Sequence, residues 1–369
     1  MGEARVTTRR NIRVPRMAVA ALLISALTPR HAAHAQYAGR ISAFVSDART
    51  GAVLSQVNPD LQRYPASLTK LMTLYMAFSA LRSGQLSLDQ AVPVSIHAAT
   101  REPSKLGLVP GSYLTVEQAI LGLVTKSAND AACALGELIG GNEVQFAAMM
   151  TAQAHNLGMS QTTFQNASGL PDPDQVTTAR DLATLARRLI SDFPEDYHYF
   201  SVSVFYYHGH EIPNHNPMLR YYPGADGMKT GYTAQAGLNL VTSAMRDNVR
   251  LVGVVMGASS SAERTRTMAA LLDQGFSDEG VAPVERSVSP TRPFILARTM
   301  RPGRRTLTFL ASSHDARRAP VQVAEAPLRH SQKLHSKSGM VRYVLARAAQ
   351  PKHSKSTHAG SQAKHRSKT

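Results

Sequence analysis

The chain has 369 residues, a formal charge of +16 and 43% hydrophobic residues, enough for a sizeable core in one large domain or two ordinary ones. The charge is unevenly placed: residues 301–369 hold 15 Lys/Arg against 2 Asp/Glu, residues 1–35 hold 6 against 1, and residues 36–300 hold 20 against 22. The basicity belongs to the two ends, so a nucleic-acid partner is disfavoured for the main body. The single cysteine, Cys133, excludes an intrachain disulfide. No apolar run reaches the roughly 18 residues of a spanning helix, which excludes a polytopic membrane protein.

At the N-terminus, Arg5, Arg9, Arg10, Arg13 and Arg16 precede an apolar run of 11 residues, Met17 to Leu27, and Ala33-His34-Ala35 supplies a small-x-small cleavage pattern. Residues 1–35 therefore read as a signal peptide, with a mature start near Gln36. Export to the periplasm or cell-envelope surface is expected, and with it chemistry that uses no cytosolic nucleotide cofactor. In the mature chain, Ile41–Ser46 and Ala52–Val57 read as strands around the turn Asp47 to Gly51. Leu68, Leu71, Met72 and Tyr75 recur at helical spacing from Ser67 to about Leu81. Val116–Val124, with Thr115 and Gln118 as a capping box, Ala128–Ile139, Phe146–Asn156 and the amphipathic Thr178–Ser191 continue as helices. Ser201–Tyr207 alternates like a strand. Leu238–Met245 and Arg250–Met256 form a hairpin, and Ala262–Gln274 a closing helix. This order predicts an α+β domain over 36–285: an antiparallel sheet built from both ends of the sequence, flanked by helices, with a helical subdomain. From 286 to 369 Ser, Pro, Arg, His and Lys dominate, which predicts a basic, His-rich, disordered tail. Within it, Met340 to Arg347 is the one stretch in which an amphipathic surface helix competes with plain solvated chain.

Three short motifs carry the chemistry, in the order Ser67-Leu68-Thr69-Lys70, Ser127-Ala128-Asn129 and Lys229-Thr230-Gly231. Ser67 and Lys70, three apart at the start of a helix, face the same way. Desolvation and a second cation lower the pKa of a lysine, so that it takes a serine proton. Ser127 and Asn129, in a loop between helices, are placed to relay a proton and to donate an amide to substrate. Lys229 on an edge strand supplies positive potential, Thr230 a hydroxyl for a substrate carboxylate, and Gly231 room for substrate backbone. Ser-x-x-Lys alone is weak, and Ser361 with Lys364 in the tail is a decoy. The specificity lies in the ordered trio, each motif in its expected context.

The trio resembles the penicillin-recognising serine enzymes, and within them the low-molecular-mass D-alanyl-D-alanine carboxypeptidases. Tyr64-Pro-Ala-Ser-Leu-Thr-Lys70, Asn166-Ala-Ser-Gly-Leu-Pro171, Asp226-Gly-Met-Lys-Thr-Gly-Tyr-Thr233 and Ala236-Gly-Leu-Asn-Leu240 extend the likeness over about residues 37–285. The resemblance implies the serine β-lactamase/transpeptidase-like fold and an acyl-enzyme mechanism without cofactor or metal on peptidoglycan stem peptides. β-Lactams would act as inhibitors. It implies Ser67 as nucleophile, Lys70 as general base, Ser127 and Asn129 in the second motif and Lys229, Thr230 and Gly231 in the third. The backbone N–H groups of Ser67 and Tyr232 would form the oxyanion hole, and Arg264 would help hold the terminal carboxylate. The small β-rich domain and membrane anchor frequent in that family are not legible in 286–369.

Other readings are weaker. A class A β-lactamase needs a deacylating Glu, and no Glu-x-x-x-Asn lies between Asn129 and Lys229. A D,D-endopeptidase has the same catalytic kit. A non-catalytic wall binder would use the tail to hold anionic envelope polymer or lipid. His208 and His210, with Glu211 and His215, offer zinc ligands if the two histidines share a strand face, but a polar hairpin near the cleft mouth is the preferred reading. Cys133, among alanines on a helix, is expected to serve packing.

Overall fold

The computed structural model describes Gly2, residues 41–284 and a strand at 342–345. The rest of the expected signal peptide and the rest of the tail lie outside the described residues. Two strands come first, β1 (Ser42–Asp47) and β2 (Val53–Val57), followed by α1 (Lys70–Arg82). A helical region follows, with β3 (Ala91–Pro93), α2 (Ile96–Ala99), β4 (Tyr113–Thr115), α3 (Val116–Thr125), α4 (Asn129–Gly140), α5 (Glu143–Asn156) and α6 (Ala179–Asp192). The chain then forms the hairpin β5 (Val202–Tyr207) and β6 (His210–Pro213), α7 (Met218–Tyr221), the strands β7 (Ala225–Thr233), β8 (Gly237–Arg246) and β9 (Val249–Ala258), and α8 (Ser261–Asp278). A last strand, β10 (Arg342–Leu345), comes from the tail.

The main sheet is antiparallel in the order β2-β1-β9-β8-β7, so the N-terminal hairpin joins the C-terminal strands as expected. Its central strands are buried on both faces because their residues alternate between two cores. Ala43 and Val45 of β1 and Leu251 and Val255 of β9 pack with Met268, Leu272 and Phe276 of α8. Phe44, Val252, Val254 and Met256 point the other way, into the larger helical core with Leu71, Phe78, Leu182 and Leu185. The strongly amphipathic α6 lies on that face, against β1 and β9. Thr178 caps it by accepting the Asp181 N–H, and Thr115 with Gln118 forms the capping box expected for α3. Among the described residues no helix is long and apolar enough to cross a membrane.

Two expectations require correction. The turn at Ala66–Thr69 is a 3-10 segment and α1 begins at Lys70, so Ser67 precedes the α-helix and does not lie in its first turn. In the described part of residues 340–347 a strand stands where a surface helix or plain chain was expected: Arg342–Leu345 pairs antiparallel with β5, Tyr343 opposite Phe205. Val, Tyr and Leu suit a strand, and β5 offers an edge of unpaired backbone groups.

Candidate active site

The site is assembled around the 3-10 turn that carries Ser67. This turn is fixed from the sheet side by Asn239 of β8, whose Nδ2 donates to the Tyr64 and Pro65 carbonyls at 3.0 and 3.1 Å while its Oδ1 accepts the Gly257 N–H at 2.9 Å. Ala66 is held at φ +50°, a costly conformation for a residue with a Cβ and one that persists where the surroundings over-determine it. On the far side stands Gly169, with φ +86°; a Cβ there would lie 1.9 Å from the Ala66 carbonyl oxygen.

Lys70 is fully buried at the start of α1. Its Nζ lies 3.2 Å from Ser67 Oγ, 2.7 Å from Asn129 Oδ1 and 2.5 Å from the Ser168 carbonyl oxygen. Burial pushes its pKa well below the usual lysine value, and the positive charge of Lys229 lowers it further, against the opposing pull of Asp130 and Glu143. The Ser168 carbonyl is aimed by Asn166, whose Oδ1 accepts the N–H groups of Ser168, Gly169 and Leu170. Of the three Lys70 partners only Ser67 was expected; Asn129 was assigned to substrate, and the third is a backbone oxygen, which no side-chain motif announces.

Ser127 sits between α3 and α4 at φ +61°, and its buried hydroxyl has no hydrogen-bond partner among the described residues. Asn129 opens α4. Its Nδ2 donates to the Glu102 carbonyl at 2.8 Å and its backbone N–H to the Ser104 carbonyl at 2.7 Å. One amide hydrogen is therefore committed to the protein, where donation to substrate was expected. The loop beyond is held by buried Asp130, which accepts the N–H groups of Leu106, Gly107 and Leu108.

Lys229, Thr230, Gly231 and Tyr232 lie on β7, the edge strand of the main sheet. Gly231 lines the cleft as expected and has a second reason to be small. A Cβ there would meet the Pro65 carbonyl and the Ser67 nitrogen at 3.1 Å, so the residue is small to let β7 press on the Ser67 turn. Lys229 is 1% exposed and its Nζ donates to the Thr230 carbonyl at 2.9 Å. Burial, reinforced by the charge of Arg264, brings its pKa down to about 7. Arg264 on α8 is also buried, its Nη2 donates to Ser261 Oγ at 3.1 Å, and its Nε lacks a partner among the described residues. Neither of these cations forms an ion pair among the described residues. Two buried cations with no carboxylate partner create a pocket that favours an anion.

Ser67, Ser127, Asn129, Thr230, Gly231, Tyr232 and Arg264 line one cleft of about 380 Å³, together with His215. All the predicted site residues thus converge, with Lys70 and Lys229 buried behind the wall. Tyr232, 64% exposed, forms the rim. His215 had been considered only as a zinc ligand. It faces the cleft, and burial, then Lys229 and Lys126, hold its imidazole below its ordinary pKa. His208 is in the β5–β6 turn at φ +47° while His210 is on β6, so the two do not share a strand face. The polar hairpin is the arrangement found.

A family model described as D-alanyl-D-alanine carboxypeptidase matches residues 29–260, more than half of the chain. The chain is 35% identical over 251 residues to the D-alanyl-D-alanine carboxypeptidase DacF of Bacillus subtilis, covering 66% of this chain and 64% of that protein. It is 39% identical over 237 residues to DacC of Escherichia coli, covering 62% and 59%. It thus spans about three fifths of the length of these curated relatives. Among solved structures, penicillin binding protein 5 from Haemophilus influenzae superposes with a TM-score of 0.62 at 36% identity, covering 66% of this chain and 71% of that one. A penicillin-binding protein from Listeria monocytogenes, solved in a cefotaxime-bound form, gives 0.56 at 32% identity, covering 64% and 96%. With its three motifs gathered on one cleft, and over the region matched, the chain belongs to the D-alanyl-D-alanine carboxypeptidase family.

Proposed function

We propose that this chain is a serine D,D-carboxypeptidase that removes the terminal D-alanine from peptidoglycan stem peptides through an acyl-enzyme on Ser67. The observation that carries this reading is the set of partners around Lys70 Nζ. Two of them, Asn129 Oδ1 and the Ser168 carbonyl, only accept hydrogen bonds. A neutral amine has two hydrogens and one lone pair. The hydrogens go to the two obligate acceptors, which leaves the lone pair for Ser67, the one partner that can donate. The low pKa supplies the neutral form, and the geometry directs it at the nucleophile.

In the reaction, Lys70 takes the Ser67 proton as Oγ attacks the carbonyl between the two D-alanines. The backbone N–H groups of Ser67 and Tyr232 hold the developing oxyanion. Lys229, Thr230 and Arg264 receive the terminal carboxylate, and the unpartnered Ser127 hydroxyl passes a proton to the leaving amine. Water then hydrolyses the ester. β-Lactams, which carry an equivalent carboxylate and a reactive amide, acylate the same serine. Residues 1–35 direct export to the periplasm or envelope surface, and the basic tail contacts anionic polymer or lipid there.

Incubation of the protein with a peptide ending in D-Ala-D-Ala is expected to release free D-alanine, and a fluorescent penicillin to label Ser67. Both signals vanish in Ser67→Ala. Folded wild-type protein that gives neither signal would refute the reading, and a cross-linked dimeric substrate in the same assay separates exo- from endo-cleavage.

A further inference from the structure

One polar cluster lies outside the cleft and has no part in the reaction above. It sits where α2, α4 and the first turn of α5 meet. Cys133 and Glu137 are one turn apart on α4 and so share a face. His97 arrives from α2. One ligand atom from each of these three, imidazole nitrogen, thiol sulfur and carboxylate oxygen, lies within 4.8 Å of the other two. The Cys133 thiol is directed at Glu137 Oε1 at 3.7 Å, and His97 Nε2 stands 2.8 Å from Glu143 Oε2. Ser95 Oγ caps α2 by accepting the Ala98 N–H and donates to Glu137 Oε1 at 3.0 Å, so one residue orients both the helix that carries His97 and the carboxylate beside it.

A cysteine that served packing alone would need none of these neighbours. Cys133 does pack against alanines, as the sequence suggests, yet its sulfur faces the polar cluster. The cation at the cluster is Arg101, whose guanidinium rests against the His97 ring and 3.5 Å from Glu143. Its side chain is 22% exposed and that of His97 is 51% exposed, so the cluster opens to solvent on this side.

We propose that His97, Cys133 and Glu137 form a binding site for a divalent ion of the zinc class, with a solvent oxygen completing the set. One nitrogen, one sulfur and two oxygens are a donor set that tetrahedral zinc accepts, whereas magnesium and calcium require oxygen throughout. Binding forms a metal–sulfur bond and releases the thiol proton to solvent, with no change of oxidation state. Arg101 swings outward as the ion takes over its charge. Glu143, which receives His97, also reaches toward the cleft. Glu143 Oε1 accepts the Ala167 N–H at 3.1 Å, and the next residue supplies the Ser168 carbonyl that holds Lys70. The inference departs from the metal-free chain expected from sequence, and it is independent of the carboxypeptidase reading.

Cobalt titration of the full-length protein, freed of metal by a chelator that is then removed, tests the site. The expected result is one equivalent bound with a near-ultraviolet thiolate-to-cobalt band and tetrahedral visible bands, all displaced by zinc. Cys133 is the only cysteine in the chain, so that band is specific to it, whereas the tail histidines could bind cobalt without producing it. Cys133→Ser should abolish the band. His97→Ala, at an exposed position where folding is safe, and Glu137→Gln should each weaken binding at least about tenfold, judged against unchanged circular dichroism. Folded wild-type protein with no thiolate band at 0.1 mM cobalt would overturn the proposal (roughly the weak-site range of metal affinities). So would a band of unchanged affinity in both His97→Ala and Glu137→Gln.

Discussion

Lys229 offers the sharpest test of the electrostatics, because its burial has opposite consequences for stability and for ligand binding. In the unfolded chain the ammonium has a pKa near 10.5, and in the fold about 7. That difference corresponds to about 5 kcal/mol against the fully charged buried form, and about 4 kcal/mol at pH 7, where roughly half the folded molecules have shed the proton. Lys229→Met keeps the shape and removes the charge. It also loses the hydrogen bond to the Thr230 carbonyl, a loss of about 1 kcal/mol. The variant is therefore expected to be more stable by about 3 kcal/mol at pH 7, raising the melting temperature by about 6–12 °C for a domain of this size.

The pH dependence fixes the cause. Because the folded pKa lies below the unfolded one, the unfolded chain binds the extra proton between pH 7 and 10.5, and wild-type stability rises across that window. The advantage of Lys229→Met is consequently full at pH 6–7, shrinks steadily above it and is gone by about pH 10. Melting curves by circular dichroism at each pH unit from 6 to 10 measure this directly. A variant no more stable than wild type at pH 7, or one whose advantage is the same at every pH, would show that Lys229 is not the strained cation described. Labelling by penicillin should fall at least about 100-fold in the same protein, since charge and carboxylate affinity leave together.

The two lysines should also shape the pH profile of Ser67 acylation. Its second-order rate with penicillin rises as Lys70 loses its proton and falls above about pH 7 as Lys229 loses its own. An acylation rate still climbing at pH 9 would contradict this assignment. Asn239→Ala strands two carbonyls and one buried N–H around the Ser67 turn, and should lower unfolding stability by about 2–4 kcal/mol in urea titration and slow acylation. Gly169→Ala must displace the Ala66 carbonyl and should reduce acylation about 100-fold, whereas Gly84→Ala, in open space but strained at φ +73°, should leave acylation unchanged while costing about 1–2 kcal/mol of stability.

What the sequence reveals and what it hides follow from the range of each signal. The strands around Phe44 and Val254 are legible because their hydrophobic runs are local, whereas their burial on both faces was not anticipated. The three motifs declare the cleft because each carries its side chains within a few residues. The short strands β3 and β4 and the four-residue α2 have no room for a period, and none was anticipated. Backbone acceptors are equally silent: Glu102, Ser104 and Ser168 act through carbonyls that any residue possesses. Cys133 packs in the core as expected, but its polar neighbours are hidden for a related reason. Its sequence neighbours are alanines, but the side chains that meet its sulfur come from one helical turn onward and from another helix. The pairing of β10 with β5 joins segments more than a hundred residues apart, and alternation over four residues does not specify a partner.

On the proposed mechanism, the arrangement of the cations would let a buried lysine act as a base at the moment it is needed. Arg264 lowers the pKa of Lys229, and Lys229 lowers that of Lys70, so the three charges form a series running inward from the cleft. With the cleft filled only by solvent, burial first and the charge of Lys229 second hold the pKa of Lys70 well below its ordinary value. A carboxylate arriving at Lys229 and Arg264 cancels much of the field that Lys70 feels. Its proton affinity then rises while its position is unchanged, because Asn129 Oδ1 and the Ser168 carbonyl still hold the amine. The base would thus be less basic before the ligand binds than after it, to the extent that Lys229 contributes to the lowering. A single fixed pKa could not satisfy both conditions, since a strong base at neutral pH is already protonated. In that mechanism the unpaired burial of Lys229, unfavourable to folding, would couple ligand arrival to proton transfer.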